Sequence, residues 1–199
     1  MSNDAVNKTR RRVLIGATCA VGAVGVVGAA IPFVGSWNPS AKAKAAGAPV
    51  KYNISKIEPG AMVTVEWRGK PVFIVRRTQA ALDSLKTVEG QGVLLDPQSK
   101  EAQQPVYAQN EARAINKEFA ILLGICTHLG CAPMYRPDVG AADLGGDKWQ
   151  GGFFCPCHGS KYDLAGRVYS GVPAPLNLEV PPHRYESDSV VVIGEDQEA

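Results

Sequence analysis

FAILLGICTHLGC, residues 119–131, passes from a strongly apolar run straight into a box of two cysteines and a histidine. Phe119–Ile125 has the length and composition of a buried strand, so the box is a loop hung on the end of a core element. A second stretch repeats the design: Gly152-Phe153-Phe154 leads into Cys155-Pro156-Cys157-His158-Gly159-Ser160. Each box holds a glycine suited to a tight turn. Around them lie short β-favouring runs at Tyr52–Lys56, Met62–Trp67, Val72–Arg76, Leu176–Val180 and Val190–Ile193. Pro59-Gly60, residues 68–71 and Pro181-Pro182 punctuate them as turns. One helix is predicted over Gln79–Lys86, with Thr78 as its cap and Ala81, Leu82 and Leu85 on one face. Residues 87–118 read as a polar loop with a second short helix from Glu111 to Lys117. The pattern predicts a mostly β, antiparallel domain, most simply a sandwich.

Upstream, Val13–Val34 is an uncharged run of 22 residues broken only by Thr18 and Cys19. In helical form it spans about 30 Å, the thickness of a bilayer's hydrocarbon core. Thr9-Arg10-Arg11-Arg12 precedes it, with paired arginines as in a twin-arginine export signal. A simple positive-inside cluster is the other reading, and a cleaved secretory signal the bland one for the whole segment. The run exceeds the usual signal-peptide core, which favours a retained anchor. Either arginine reading puts the N-terminus in the cytoplasm and the rest outside. Residues 36–50, small, polar and carrying Pro39, Gly47 and Pro49, read as a tether whose Ala/Lys part can turn briefly helical. The organisation expected is a tip at 1–12, an anchor at 13–35, a hinge at 36–50 and a head at 51–199.

The chain has 199 residues and a net charge of +2, which gives no argument for nucleic-acid binding. The average conceals an asymmetry. Residues 1–44 hold six basic residues against one acid; residues 45–199 hold 15 against 18. The length excludes a large multidomain enzyme.

The five cysteines are equally uneven. Cys19 stands alone as a small apolar residue, while Cys126, Cys131, Cys155 and Cys157 crowd together with His128 and His158. Two loops supplying thiols and imidazoles form a pincer for a soft metal centre. Covalent haem attachment fails, because one residue separates Cys155 from Cys157. A nucleophilic Cys/His pair needs one thiol, not four. A structural zinc site stays in play, although six candidate ligands exceed a tetrahedral ion's need. A two-iron cluster with two cysteines and two histidines leaves two thiols over. Outside the cytoplasm such neighbours are expected to form a disulfide. His183, between Pro182 and Arg184, reads as an exposed loop histidine. Residues 134–152, with Asp138, Asp143 and Asp147, read as a solvated insertion rather than a cation site.

The two boxes resemble those of the Rieske iron–sulfur protein of quinol–cytochrome c reductase, the cytochrome bc1 complex. Trp67–Phe73 resembles a strand-turn-strand signature of that subunit, and Gly171–Leu176 its proline loop. The anchored, twin-arginine N-terminus resembles bacterial members. The resemblance runs from about residue 9 to the C-terminus. It implies an antiparallel β-sandwich Rieske head with a small cluster-binding subdomain, loops about 124–175, behind one transmembrane helix. It implies one [2Fe-2S] cluster, with Cys126 and Cys155 on one iron and His128 and His158 on the other. Cys131 and Cys157 would form a disulfide tying the loops. Leu129 would cover the cluster, Ser160 would donate to a bridging sulfide and Tyr162 to a ligating sulfur. His158 would hydrogen-bond ubiquinol at a site shared with cytochrome b and accept its proton. The electron would pass to cytochrome c1 as the head swings on its tether, contributing to proton translocation. The complex would be dimeric, with this chain a single pass through the bacterial inner membrane and its head in the periplasm.

Mixed ligands suit that task. Four thiolates give an oxidised two-iron core a charge of about −2, and two imidazoles in their place bring it to about 0, which raises the potential. Reduction raises the basicity of the outer imidazole nitrogens, so an electron and a proton are taken up together. The chain on its own cannot complete the reaction. Two rivals remain from sequence: the Rieske subunit of another exported oxidoreductase such as arsenite oxidase, and a zinc-stabilised binding domain. Soluble Rieske ferredoxins and ring-hydroxylating oxygenases lack the extra cysteine pair and the anchor.

Overall fold

The structure is a computed structural model, and it describes residues 7–196. It divides into an N-terminal unit, 1–45, and a head, 46–199. The first six residues of the expected 1–12 tip lie outside the described residues.

Helix α1, Lys8–Ser36, starts five residues before the apolar run and takes in the arginines. Asn7 caps it, its side chain accepting the Arg10 N–H at 3.1 Å. Its 29 residues reach about 43 Å. Its described side chains are exposed all round, Val21 at 75% and Phe33 at 73%. Its Val13–Val34 part is apolar on every face and has no polar side to turn to water, and the helix is long and apolar enough to cross a membrane. The Ala/Lys part of the tether forms the short helix α2, Ala41–Ala46, and the head's first strand begins at Val50.

Among the described residues, the head contains nine strands in three antiparallel sheets. β1 (Val50–Asn53), β9 (Val190–Ile193) and β8 (His183–Ser187) make the first; β2 (Met62–Trp67), β3 (Lys70–Arg76) and β4 (Phe119–Leu123) the second. β5 (Met134–Arg136), β6 (Gly152–Phe154) and β7 (Lys161–Tyr162) make the third. Side chains alternate across a strand, and here both faces are apolar. Val72 and Ile74 of β3, with Phe119, Ile121 and Leu123 of β4, pack with Ile54, Trp67, Val191 and Ile193 in the sandwich core. Phe73 and Val75, with Ala120 and Leu122, face a second core containing Phe153, Tyr162, Val168, Leu178, Cys126 and Cys155. The middle sheet is thus a wall between the sandwich and the third sheet. That is why residues 119–125 read as unbroken apolar sequence instead of alternating.

α3 (Gln79–Gly90) begins as expected, Thr78 Oγ1 accepting the Ala81 N–H at 3.1 Å, and runs four residues further than its periodicity suggested. Other expectations fail for local reasons. Glu111–Lys117 is not a helix. Asn110 bonds Ala114 through both its amide atoms, Asn116 accepts the Glu118 N–H, and Arg113 sits at φ +49°. Such side-chain bonds compete with the helical ladder. Leu176–Val180 is extended but joins no sheet, because its bonds go to three places. Leu178 N–H reaches Gly166 O, Val180 N–H reaches Gln103 O, and Glu179 O accepts from Leu123. Residues 134–152 are not simply solvated: Leu144 and Trp149 are buried, and Arg136 holds Asp143 through two 3.0 Å bonds. His183 is 1% exposed, not a surface histidine. It is the first residue of β8, its ring edge-on to Tyr107.

Candidate metal centre

Both boxes fold into the same closed loop. In the first, Cys126 N–H donates to Cys131 O at 2.7 Å and Gly130 N–H to Cys126 O at 3.0 Å. In the second, Cys155 N–H donates to Ser160 O at 2.8 Å and Gly159 N–H to Cys155 O at 2.9 Å. The two glycines take φ of +83° and +79°, where a Cβ is unfavourable. β4 delivers the first loop and β6 the second.

The disulfide between Cys131 and Cys157 joins the loops. Cys126 and Cys155 remain as thiols, 2% and 1% exposed. The Cys155 sulfur lies within 4.8 Å of both disulfide sulfurs. Those two are already bonded to each other, so that trio is no metal site. His128 and His158 meet edge-on, ring centroids 4.7 Å apart, with His158 exposed and His128 half-buried. Leu129 is 71% exposed beside them.

Neighbouring donors converge on the buried thiols. The Tyr162 hydroxyl is 3.2 Å from Cys126 Sγ and accepts the Thr127 N–H at 3.2 Å. Burial pushes the Cys126 thiol up, but hydrogen bonds from Tyr162, the His128 backbone N–H, Cys155 and Ser160 outweigh it and hold the thiol below its ordinary value. Burial, and then the adjoining Cys126, push Cys155 the other way. Burial also raises the Tyr162 phenol, with Cys126 beside it, keeping it a protonated donor. Ser160, fully buried, accepts the Ala174 N–H at 3.1 Å, which leaves its own hydrogen free for the site.

Thr127 was not singled out in the sequence. Its hydroxyl donates to Leu176 O at 2.7 Å, fastening the first box to the segment 171–176. The only sequence signal was a hydroxyl between two ligand candidates.

The donor chemistry fits a Rieske cluster. Two soft thiols lie inside, two imidazoles stand at the mouth, and the remaining two cysteines are withdrawn as a disulfide.

Residues 49–182 match the family model of the Rieske [2Fe-2S] domain. Residues 1–40 match that described as "Ubiquitinol-cytochrome C reductase Fe-S subunit TAT signal". The chain is 55% identical over 197 residues to the ubiquinol-cytochrome c reductase iron-sulfur subunit of Allochromatium vinosum, covering 99% of this chain and 94% of that one. It belongs to the Rieske iron–sulfur subunits of ubiquinol–cytochrome c reductase. The Bradyrhizobium diazoefficiens subunit is 42% identical over 193 residues, covering 97% and 98%. Among solved structures, a chain of a hyperthermophilic respiratory Complex III is similar at 27% identity and TM-score 0.49, covering 90% of this Rieske chain and 98% of that one. The twin-arginine reading of residues 9–12 falls within the matched signal.

Proposed function

We propose that this chain is the electron-transfer subunit of a cytochrome bc1 complex, taking an electron and a proton from ubiquinol and passing the electron to cytochrome c1. The observation that carries the proposal is the layout of the two boxes: thiols buried, one imidazole exposed, loops pinned by Cys131–Cys157. Cys126 and Cys155 would hold one iron of the cluster, and His128 and His158 the other. The cluster supplies a one-electron centre of raised potential. The protein's part is the rest. Tyr162 and Ser160 direct hydrogen bonds at the sulfur atoms and stabilise added negative charge there. His158, at the surface, presents its outer nitrogen to the quinol hydroxyl and takes the proton. Leu129, beside it, lends the same surface apolar contact for docking in cytochrome b and excludes water.

The organisation follows: a cytoplasmic tip at 1–12, a single-pass anchor at 13–35 in the bacterial inner membrane, a hinge at 36–50, and a periplasmic head at 51–199 within a dimeric complex. Export of a folded, cofactor-loaded head suits the twin-arginine signal.

Electron paramagnetic resonance of the dithionite-reduced membrane protein tests the centre. The spectrum of a two-iron cluster with histidine ligands is expected, and its absence would sink the reading. Loss of ubiquinol-dependent cytochrome c reduction in a strain lacking the chain, restored by the chain but not by His158→Ala, tests the reaction.

A further inference from the structure

Lys161–Tyr169 forms a hairpin that carries much of the site. Tyr162 bridges Val168, Tyr169 N–H donates to Lys161 O at 3.0 Å, and Asp163 N–H donates to Arg167 O at 2.9 Å. One stem follows directly on the second box and bears Tyr162; the other runs into the segment 171–176. The base is held by β6, through Phe153 and Phe154. The tip, 163–167, is held by the Leu178 N–H, which donates to Gly166 O at 2.8 Å, by packing of Leu164 and Ala165 with Leu85, and by a set of buried guanidinium groups. Arg167 Nε bonds Asp163 Oδ2 at 2.7 Å from within the turn, and Asp163 Oδ1 accepts the Ala165 and Arg167 N–H groups. Arg77 Nη1 reaches Leu164 O at 3.3 Å. Arg113 Nη1 reaches Ala165 O at 3.1 Å and Gly166 O at 3.4 Å.

Arg113 and Arg77 are both buried with only neutral direct partners, and Arg113 is set apart by its backbone. It is fully buried, yet its direct partners are neutral: those two carbonyls, Gln103 O at 3.3 Å and Gln104 Oε1 at 2.9 Å. Its backbone adopts φ +49°, a conformation costly for any residue with a Cβ and sustained only where surroundings impose it. If space alone had to be filled, an apolar side chain would do so without desolvating a charge. The directional fork is what distinguishes it.

We infer that Arg113 is a positioning residue, reaching from the segment between α3 and β4 to clamp the tip of the Lys161–Tyr169 hairpin and thereby fixing the Tyr162 hydroxyl against Cys126. The Tyr162–Cys126 bond joins the end of β7 to the first box and belongs to no ladder, so a small rotation of the hairpin lengthens it. With the base held by β6, the tip is where such a rotation is stopped.

This inference rests on the proposed cluster, and the test separates the two. In the full membrane protein carrying its cluster, Arg113→Lys keeps the charge and loses the fork. The midpoint potential, followed by paramagnetic resonance, is expected to shift downward by less than in Tyr162→Phe. Added to Tyr162→Phe, the substitution is expected to produce no further shift. Gln104→Ala removes one acceptor and is a milder variant, expected to shift the potential the same way by less; it serves if Arg113→Lys fails to assemble. An unmoved potential with the signal retained in both variants overturns the clamp, and so does an equal shift in the Tyr162→Phe background. Absence of any signal in the unsubstituted protein overturns the cluster reading, and the clamp's role with it.

Discussion

The Tyr162 hydroxyl stands 3.2 Å from Cys126 Sγ while accepting the Thr127 N–H at 3.2 Å. Its single hydrogen has two acceptors in reach, Cys126 Sγ and Thr127 Oγ1 at 3.3 Å. Thr127 spends its own hydrogen on Leu176 O. A thiolate attracts the phenol hydrogen over a neutral hydroxyl, so the sulfur bond prevails once Cys126 is ionised.

Tyr162→Phe removes that bond with little change of shape. A hydrogen bond to charged sulfur contributes about 1.5–3 kcal/mol, and a difference of about 1.4 kcal/mol between redox states corresponds to ~60 mV for one electron. The midpoint potential is expected to fall by roughly that amount with the cluster retained. A potential unchanged within error would show that the hydroxyl does not act on the sulfur.

The convergence of the two boxes and their disulfide was legible because the residues concerned sit in two contiguous stretches whose residue types have few other uses. The apolar run 119–125 announced the wall strand, and Thr78 announced the helix. The arginines were opaque. Arg77, Arg113 and Arg167 are polar in composition and lie in stretches that read as loop. Their burial depends on carbonyls 35 to 87 positions away, which no local pattern encodes. His183 misled for the same reason: prolines beside it suggested a surface turn, while Tyr107, 76 residues earlier, covers it.

The disulfide closes a loop of 26 residues' separation and is the covalent tie between the boxes. Chain entropy alone assigns such a closure about 3.5 kcal/mol. Cys131→Ser should therefore melt lower and lose its cluster faster, read as decay of the paramagnetic signal during incubation at fixed temperature. A parent-like decay rate would mean that the two loops hold together without it.

Gly124 lies where β4 turns into the first box. A Cβ there would fall 2.4 Å from Phe73 Cζ, and that ring cannot retreat because it stacks on Phe153 at 5.8 Å. Overpacking of this kind costs about 1–3 kcal/mol. Gly124→Ala is expected to displace the first box and lower cluster occupancy. The companion Phe73→Leu should restore part of it in the double variant. Full occupancy in Gly124→Ala alone would show that the approach has slack.

His183 supplies a pH dependence of its own, separate from the proposed cluster ligands. Burial pushes its imidazole below the ordinary value of about 6.5, against the opposing influence of Pro181 O and then Asp196. Tyr107 and Tyr185 flank the ring, at 5.6 and 6.2 Å. Above pH ~6.5 the imidazole is neutral in both folded and unfolded chains, and its contribution to stability is complete. As pH falls, the unfolded chain takes up a proton that the folded one refuses, so stability is lost until the folded value is passed. The carboxylates held low by partners, Asp143 and Glu186, act only at more acid pH. The urea midpoint of the parent should thus decline between pH 7 and 5, and that of His183→Gln should decline less. Equal slopes in the two would mean that the buried ring accepts its proton without cost.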